Sequence, residues 1–201
     1  MFLVTLFFTS IVSAVNLSLQ KRIETNQIVK VQKVILKVLD IQMNQDRSVE
    51  DLIHTFEKRV KKIDVLGKTL YVGYEEDGKT LRGYAFPVGG PGFWGPIYGM
   101  VAVDPQSSKI LGIAFYKHSE TPGLGGRLTE DWFTKQYVGL PLYPISGDKK
   151  IFYLKPPGTG TASNELDAIT GATGTSRAVE EFLNQKLDDF LKVTWESLNK
   201  G

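Results

Sequence analysis

A carboxylate, two hydroxyls and two of the smallest residues crowd into one seven-residue stretch, Asp167-Ala168-Ile169-Thr170-Gly171-Ala172-Thr173. It stands directly ahead of a long amphipathic pattern. Apolar residues at Val179, Phe182, Leu183, Leu187, Phe190, Leu191, Trp195 and Leu198 follow a helical period over roughly six turns, which predicts a helix beginning near Gly174. A loop of small residues ending at a first helical turn leaves backbone N–H groups free, and these together with the helix dipole favour an anion. Phosphate is the obvious candidate. Thr173, Thr175 and Ser176 are also ordinary N-cap types, so a well-capped helix that binds nothing is the competing reading.

Other chemistries are poorly supplied. There is no cysteine, which removes thiolate metal sites, iron–sulfur ligation and disulfides. The two histidines, His54 and His118, lie far apart in sequence, and no metal site is expected. There is no G-x-S-x-G, and neither histidine sits in a triad or zinc-protease motif, so the chain is not expected to be a complete enzyme by itself. With 24 Lys+Arg against 22 Asp+Glu, a net charge of +2 and no basic cluster, nucleic acid is not expected as a partner.

Two glycine-rich loops could bring main chain close to a ligand. In Gly89-Gly90-Pro91-Gly92-Phe93-Trp94-Gly95-Pro96, the three glycines Gly90, Gly92 and Gly95 match G-x-G-x-x-G only formally. A proline and a strand come next where a dinucleotide site needs a helix, and no βαβ unit frames the motif. A tight loop fixing Phe93 and Trp94 is expected instead; those rings suit a flat ligand or plug a core. Glu120-Thr121-Pro122-Gly123-Leu124-Gly125-Gly126 likewise reads either as a ligand-approaching loop or as a surface turn.

The elements that would position these loops can be read from periodicity. Thr69–Tyr74 and Thr80–Phe86 form one expected hairpin around Glu76-Asp77-Gly78, and Ile97–Val103 with Ile110–Tyr116 a second. Four antiparallel strands covered by helices make an α+β architecture. A short helical signal at 129–133 precedes a Pro- and Gly-rich stretch, 139–164, expected as an ordered loop around one strand at 150–154. Upstream, Ser48-Val49-Glu50-Asp51 caps an expected helix carrying Leu52, Ile53, Phe56, Val60 and Ile63, with the charged run 57–62 as its solvated face.

Residues 1–20 carry no charged side chain and have the length to span a bilayer. A permanent anchor, a cleaved signal peptide and a buried core helix all fit. The apolar pattern from Ile23 to Leu39 continues it as a stalk, so the expected organisation is an anchor at 1–20, a stalk and helical segment at 21–64, and a ligand-binding domain at 65–201. Lys21 and Arg22 by themselves favour a cytoplasmic location for the rest of the chain.

Asp167-x-x-Thr170-Gly171-Ala172-Thr173 resembles the D-x-x-[S/T]-G-A-T signature at which a flavin transferase esterifies FMN, through its phosphate, to the last threonine. Taken with the span and stalk, the Gly90–Pro96 loop, Phe115-Tyr116 and the Glu120–Gly126 loop, the chain resembles the covalent-FMN subunits of two membrane machines. These are the Na⁺-translocating NADH:quinone oxidoreductase, where the subunit is lettered C, and the Rnf complex, where it is lettered G; both belong to the FMN-binding domain family. The aromatic pair leans to the former, the short length to the latter. The resemblance implies a single-pass inner-membrane flavoprotein with an extracytoplasmic domain, relaying electrons between partner subunits and loaded by a separate transferase. It implies FMN on Thr173, a narrow loop of Thr170, Gly171 and Ala172, and Asp167 shaping that loop. Trp94 and Leu124 would pack on or near the ring, with Glu120, Thr121 and Gly125 at its polar edge. A membrane-anchored binding module with Thr173 unmodified, and a stand-alone flavoprotein of the same fold, are the alternatives.

Overall fold

The structure is a computed structural model that describes residues 2–42, 48–145 and 147–198. Met1 and the side chains of Lys21, Arg22 and Ile23, which entered the anchor and stalk expectations, lie outside the described residues. Helix α1 (Phe2–Val38) is unbroken, so apolar segment and stalk are one element. Phe2–Gln20 is long and apolar enough to cross a membrane, and none of it is buried against the protein. That overturns the reading of this segment as a core helix. Burial begins only near the helix end, at Ile35, Leu36, Val38 and the adjoining Leu39.

Helix α2 (Val49–Arg59) starts with the expected cap: Asp51 N donates to Ser48 Oγ at 3.2 Å while Ser48 N donates to Asp51 Oδ2 at 3.2 Å. It ends sooner than its apolar spacing predicts. Val60 and Ile63 belong to strand β1 (Val60–Val65), which folds back on β2 (Lys68–Tyr74) with Val60 opposite Gly73 and Val65 opposite Lys68. The turn between them needs left-handed backbone at Leu66 and Gly67, and once it forms the two side chains part: Val60 faces one core, Ile63 and Val65 the other. An i, i+3 spacing served two faces of a strand.

Strands β3 (Leu81–Pro91), β4 (Pro96–Val103) and β5 (Ile110–Lys117) complete an antiparallel meander in chain order, β1-β2-β3-β4-β5. Both expected hairpins are present, and β1 adds a fifth strand. Their turns are held by aspartates: Asp77 Oδ1 accepts from Lys79 N and Thr80 N, each at 2.8 Å, and Asp104 Oδ1 from Gln106 N at 2.7 Å. Alternation along β4 divides the core. Ile97, Val101 and Val103 face one side, Met100 and Ala102 the other.

After β5 come a 3₁₀ turn (Gly125–Thr129) and α3 (Asp131–Lys135). The expected single strand near 150–154 is β6 (Tyr153–Lys155), and it pairs in parallel with β7 (Glu165–Asp167), three residues too short to show a periodicity. Helix α4 (Thr173–Asp189) covers the first face of the sheet and passes into a π-helical segment, Phe190–Trp195. The wider turn keeps Phe190, Leu191, Thr194 and Trp195 all inward, with Phe190 stacked on Phe86 at 4.0 Å and Trp195 edge-on to Tyr84 at 6.3 Å.

The end of α1 covers the second face. A Cβ on Gly112 would meet the Val38 backbone, whereas Lys30 and Val31 stand beside Tyr116 and Lys117. Travelling back along α1 is therefore travelling forward along β5. The helix departs from the sheet at the end where the β3–β4 turn and the loop after β5 also lie.

Candidate functional site

Four short pieces meet at that end: the β3–β4 turn, the loop after β5, the loop after β7, and the first turn of α4. The Gly-rich segment between the hairpins is mostly strand. Gly90 pairs with Ile97 and Pro91 with Pro96, leaving a four-residue turn, Gly92-Phe93-Trp94-Gly95, closed by Gly92 N donating to Gly95 O at 2.9 Å. Strand geometry with α4 packed above it leaves no room for a side chain at Gly90, where a Cβ would collide with Phe182. The expected loop around Phe93 and Trp94 is therefore real but tighter, and it pushes both rings out to 61% and 68% exposure.

Glu120 holds the pieces together. Only 4% exposed, it accepts from Phe93 N at 2.9 Å and Trp94 N at 3.0 Å on Oε1, and from Thr175 Oγ1 at 2.5 Å on Oε2. A buried carboxylate with three protein donors is well satisfied and strongly directional. Glu120 N in turn donates to His118 Nδ1 at 3.2 Å, which gives that histidine a local structural role.

The chain enters α4 through Gly171, whose φ of +76° suits glycine. No side chain caps the helix, whose N-cap is Ala172. Thr173 is its first residue and is exposed. Thr175 and Ser176 lie buried inside the first turn instead of capping it. Ser176 Oγ accepts from Ile169 N and donates to Ala172 O, both at 3.0 Å, locking the preceding loop. Ser176 N is bonded back to Ala172 O at 3.0 Å. The N–H groups of Thr173, Gly174 and Thr175 precede that bond and have no partner along the helix. Gly174 packs under the Phe93 ring, where a Cβ would collide with it.

Together these pieces bound a cleft of about 240 Å³ lined by Phe93, Trp94, Glu120, Thr121, Leu124, Gly125, Gly171, Ala172, Thr173, Gly174 and Thr175. Eight of the ten residues singled out in the sequence line it; Asp167 and Thr170 do not. Thr170 is exposed on the approach to the helix. Asp167 sits behind, its Oδ1 accepting from Gly158 N at 2.8 Å and its backbone N donating to Gln136 Oε1 at 2.7 Å. Nearby, Glu165 accepts from Thr161 N at 2.7 Å and Ala162 N at 3.2 Å, and these two backbone bonds, with the Lys155 ammonium, hold its carboxyl down at about 2.

Sequence reasoning passed over Gly174 and Thr175 as lining residues. Their signal was present: a glycine and a hydroxyl immediately after Thr173, at positions where a helix normally carries larger side chains.

The residues present suit a phosphate ester better than an enclosed ligand. Thr173 Oγ1 is accessible, unpartnered helical N–H groups and the positive end of the dipole surround it, and Gly125, Gly171 and Gly174 keep side chains out of the way. At about 240 Å³ the cleft falls below the ~300–1,000 Å³ of pockets that engulf a whole ligand, so a larger group anchored there projects past the exposed Phe93, Trp94 and Leu124.

Residues 92–188 match the model of the FMN-binding domain family. Curated relatives include the C-lettered member of the Na(+)-translocating NADH-quinone reductase of Pseudomonas aeruginosa, 36% identical over 119 residues (58% of this chain and 45% of that protein). Its counterpart in Yersinia pestis is 32% identical over 130 residues (62% and 49%). The chain thus spans about half the length of the curated relatives it matches. The crystal structure of the same reductase component from Parabacteroides distasonis superposes with a TM-score of 0.71 at 24% identity, over 87% of this chain and 96% of that one. That of Shewanella oneidensis NqrC gives 0.66 at 23%, over 81% and 96%. These two likenesses show the fold.

Proposed function

We propose, from the match of residues 92–188 to the FMN-binding domain family model, that this chain carries FMN bound covalently through its phosphate to Thr173. It works as a membrane-anchored electron carrier inside an ion-translocating NADH:quinone reductase-type complex. The observation that carries the reading is the placement of Thr173: an exposed hydroxyl on the first residue of α4, at the mouth of a shallow cleft floored by helical N–H groups and glycines.

Each part of the site has a physical task. The N–H groups of Gly174 and Thr175 and the α4 dipole stabilise the phosphodiester charge, an effect of roughly 0.3–2 kcal/mol. Gly171 and Ala172 keep the loop narrow, and Ser176 fixes its path. Glu120 holds the Phe93-Trp94 turn against α4, so the two rings and Leu124 form a rigid apolar rim for one face of the flavin, while Thr121 and Gly125 border it with polar main chain. Asp167 acts from behind, fixing the 156–158 loop. When bound, FMN supplies one- and two-electron chemistry; the protein sets its position and environment. A shallow cleft retains a free flavin poorly, which is the physical case for covalent attachment by a separate transferase.

The reductase relatives favour the quinone-reductase complex over the Rnf type. In this reading Phe2–Gln20 serves as the anchor, and the domain lies on the extracytoplasmic side, as the family resemblance implies against the charge bias of Lys21 and Arg22.

The test is intact mass of the denatured protein purified from its native host, with peptide mapping across Asp167–Arg177. One FMN on Thr173 is expected, lost in Thr173→Ala and retained in Thr173→Ser. Unmodified Thr173 in that material would sink the covalent assignment and favour an anchored binding module.

A further inference from the structure

A second cleft opens where α1 departs from the sheet. About 590 Å³ in volume, it is lined by Gln27, Lys30 and Val31 of α1 and by Tyr98, Tyr116 and Lys117 of β4 and β5, and among the described residues none of its lining side chains is acidic. It lies on the opposite face of the sheet from the α4 core, since Tyr98 and Tyr116 alternate with Ile97 and Phe115 of that core. Lys117 Nζ rests over the Tyr98 ring at 5.4 Å, which presents a cation on an aromatic shelf. Lys30 is exposed on the helix side.

Its height above a membrane is set by α1 being unbroken. Ten residues separate Gln20, the end of the apolar segment, from Lys30, a rise of roughly 15 Å. The polar layer outside the hydrocarbon is roughly 5–7 Å deep on each side. Helical side chains lean toward the helix N-terminus, so the long Lys30 side chain reaches back toward that layer, and Gln27 stands one turn nearer. Tyrosines, apolar in body and polar at the tip, suit the same zone.

We propose that this cleft is a headgroup site for an anionic phospholipid, whose phosphate is held between Lys30 and Lys117 beside Tyr98 and Tyr116 while its glycerol end runs back past Gln27 toward the membrane. The proposal rests on the reading of Phe2–Gln20 as a membrane span. The bound lipid bridges α1 and the sheet end beside which the candidate flavin cleft lies.

The experiment places the full chain in nanodiscs of phosphatidylcholine containing a minority of phosphatidylglycerol, extracts it gently in detergent, and counts each retained lipid by native mass spectrometry. Phosphatidylglycerol is expected to be retained in preference to phosphatidylcholine. Lys30→Gln or Lys117→Gln should lower that retention about fivefold each, from the ~1 kcal/mol per lysine typical of headgroup attraction, with Lys30→Arg restoring it. Millimolar inorganic phosphate should not displace the lipid; if it does so completely, the cleft binds a free anion and the proposal falls. Entry into the nanodisc without preference for phosphatidylglycerol, or with retention unchanged in the double variant, overturns the headgroup site while leaving the span intact. A chain that does not enter the bilayer overturns both.

Discussion

The two faces of the sheet are built from opposite materials. On the α4 side, Phe86 and Phe115 of the sheet join Phe133, Tyr137, Phe152, Phe182, Phe190 and Trp195 from the covering segments in a deep aromatic core. Under α1 the sheet offers Ala85, Ala102 and Ala114 together with Gly73, Gly83 and Gly112, so Leu39 and Val38 press almost onto the strand backbone. The difference separates two duties. Bulky side chains fill the space between α4 and most of the sheet, while at the strand end Gly90 admits Phe182 closely, so the first turn of α4 meets the β3–β4 turn and forms a cleft with it. Small residues draw the end of α1 in, which makes it a stiff mount and not a hinge.

Breaking the aromatic face should cost most. Phe182, 4% exposed and seated over Gly90, is the side chain through which α4 packs on β3 beneath the site. Phe182→Ala is expected to lose about 3–5 kcal/mol of stability, read from urea unfolding of the detergent-solubilised chain, and to lower flavin content in parallel. An unaltered flavin content would show that α4 is positioned from elsewhere. Breaking the close-packed face should cost less and act at a different place. Gly112→Val sets a side chain against the Val38 carbonyl, and an overpacking loss of about 1–3 kcal/mol is expected. Amide exchange should rise at 34–39 while the 171–176 segment stays protected; exchange rising in both would mean the faces are one cooperative unit.

The smallest effect sharpens the contrast by lying off both faces. Glu165 titrates at about 2 instead of the ordinary 4.5, chiefly because Thr161 N and then Ala162 N donate to its charged form. A depressed pKa in the folded state means that the stabilisation is fully present above about pH 4.5 and is lost as pH falls through about 2. Protection of the Thr161 and Ala162 amides, tracked by NMR, should therefore survive to about pH 3 and vanish near 2. Loss already at pH 4.5 would mean that the carboxylate is not what holds this turn.

How legible this was depended on whether a residue acts alone or through a partner. The hairpins, the Ser48 cap and the long C-terminal helix were written in local periodicity and turn chemistry, and Thr173 stood out because small residues flank it. Val60 and Ile63 misled because i, i+3 spacing fits a helix face and also the two sides of a strand. The β7 strand and the π-helical segment arise from tertiary pairing and packing, which leave no period behind. Glu120 was picked out as polar lining; that its carboxylate would be consumed by Phe93, Trp94 and Thr175, residues 27, 26 and 55 positions away, was not readable from its own neighbourhood.

That same three-way grip bears on when the protein becomes competent during synthesis. Glu120 collects donors from a turn made early and from a helix made almost last, so a chain released before Thr175 is translated keeps a carboxylate short of one donor and a rim with nothing to close against. Thr173, the proposed acceptor, and the Thr175 lock that frames it leave the ribosome two residues apart. Under the proposed attachment, an enzyme that requires the finished cleft passes over unfinished chains, and loading would double as an inspection of completeness.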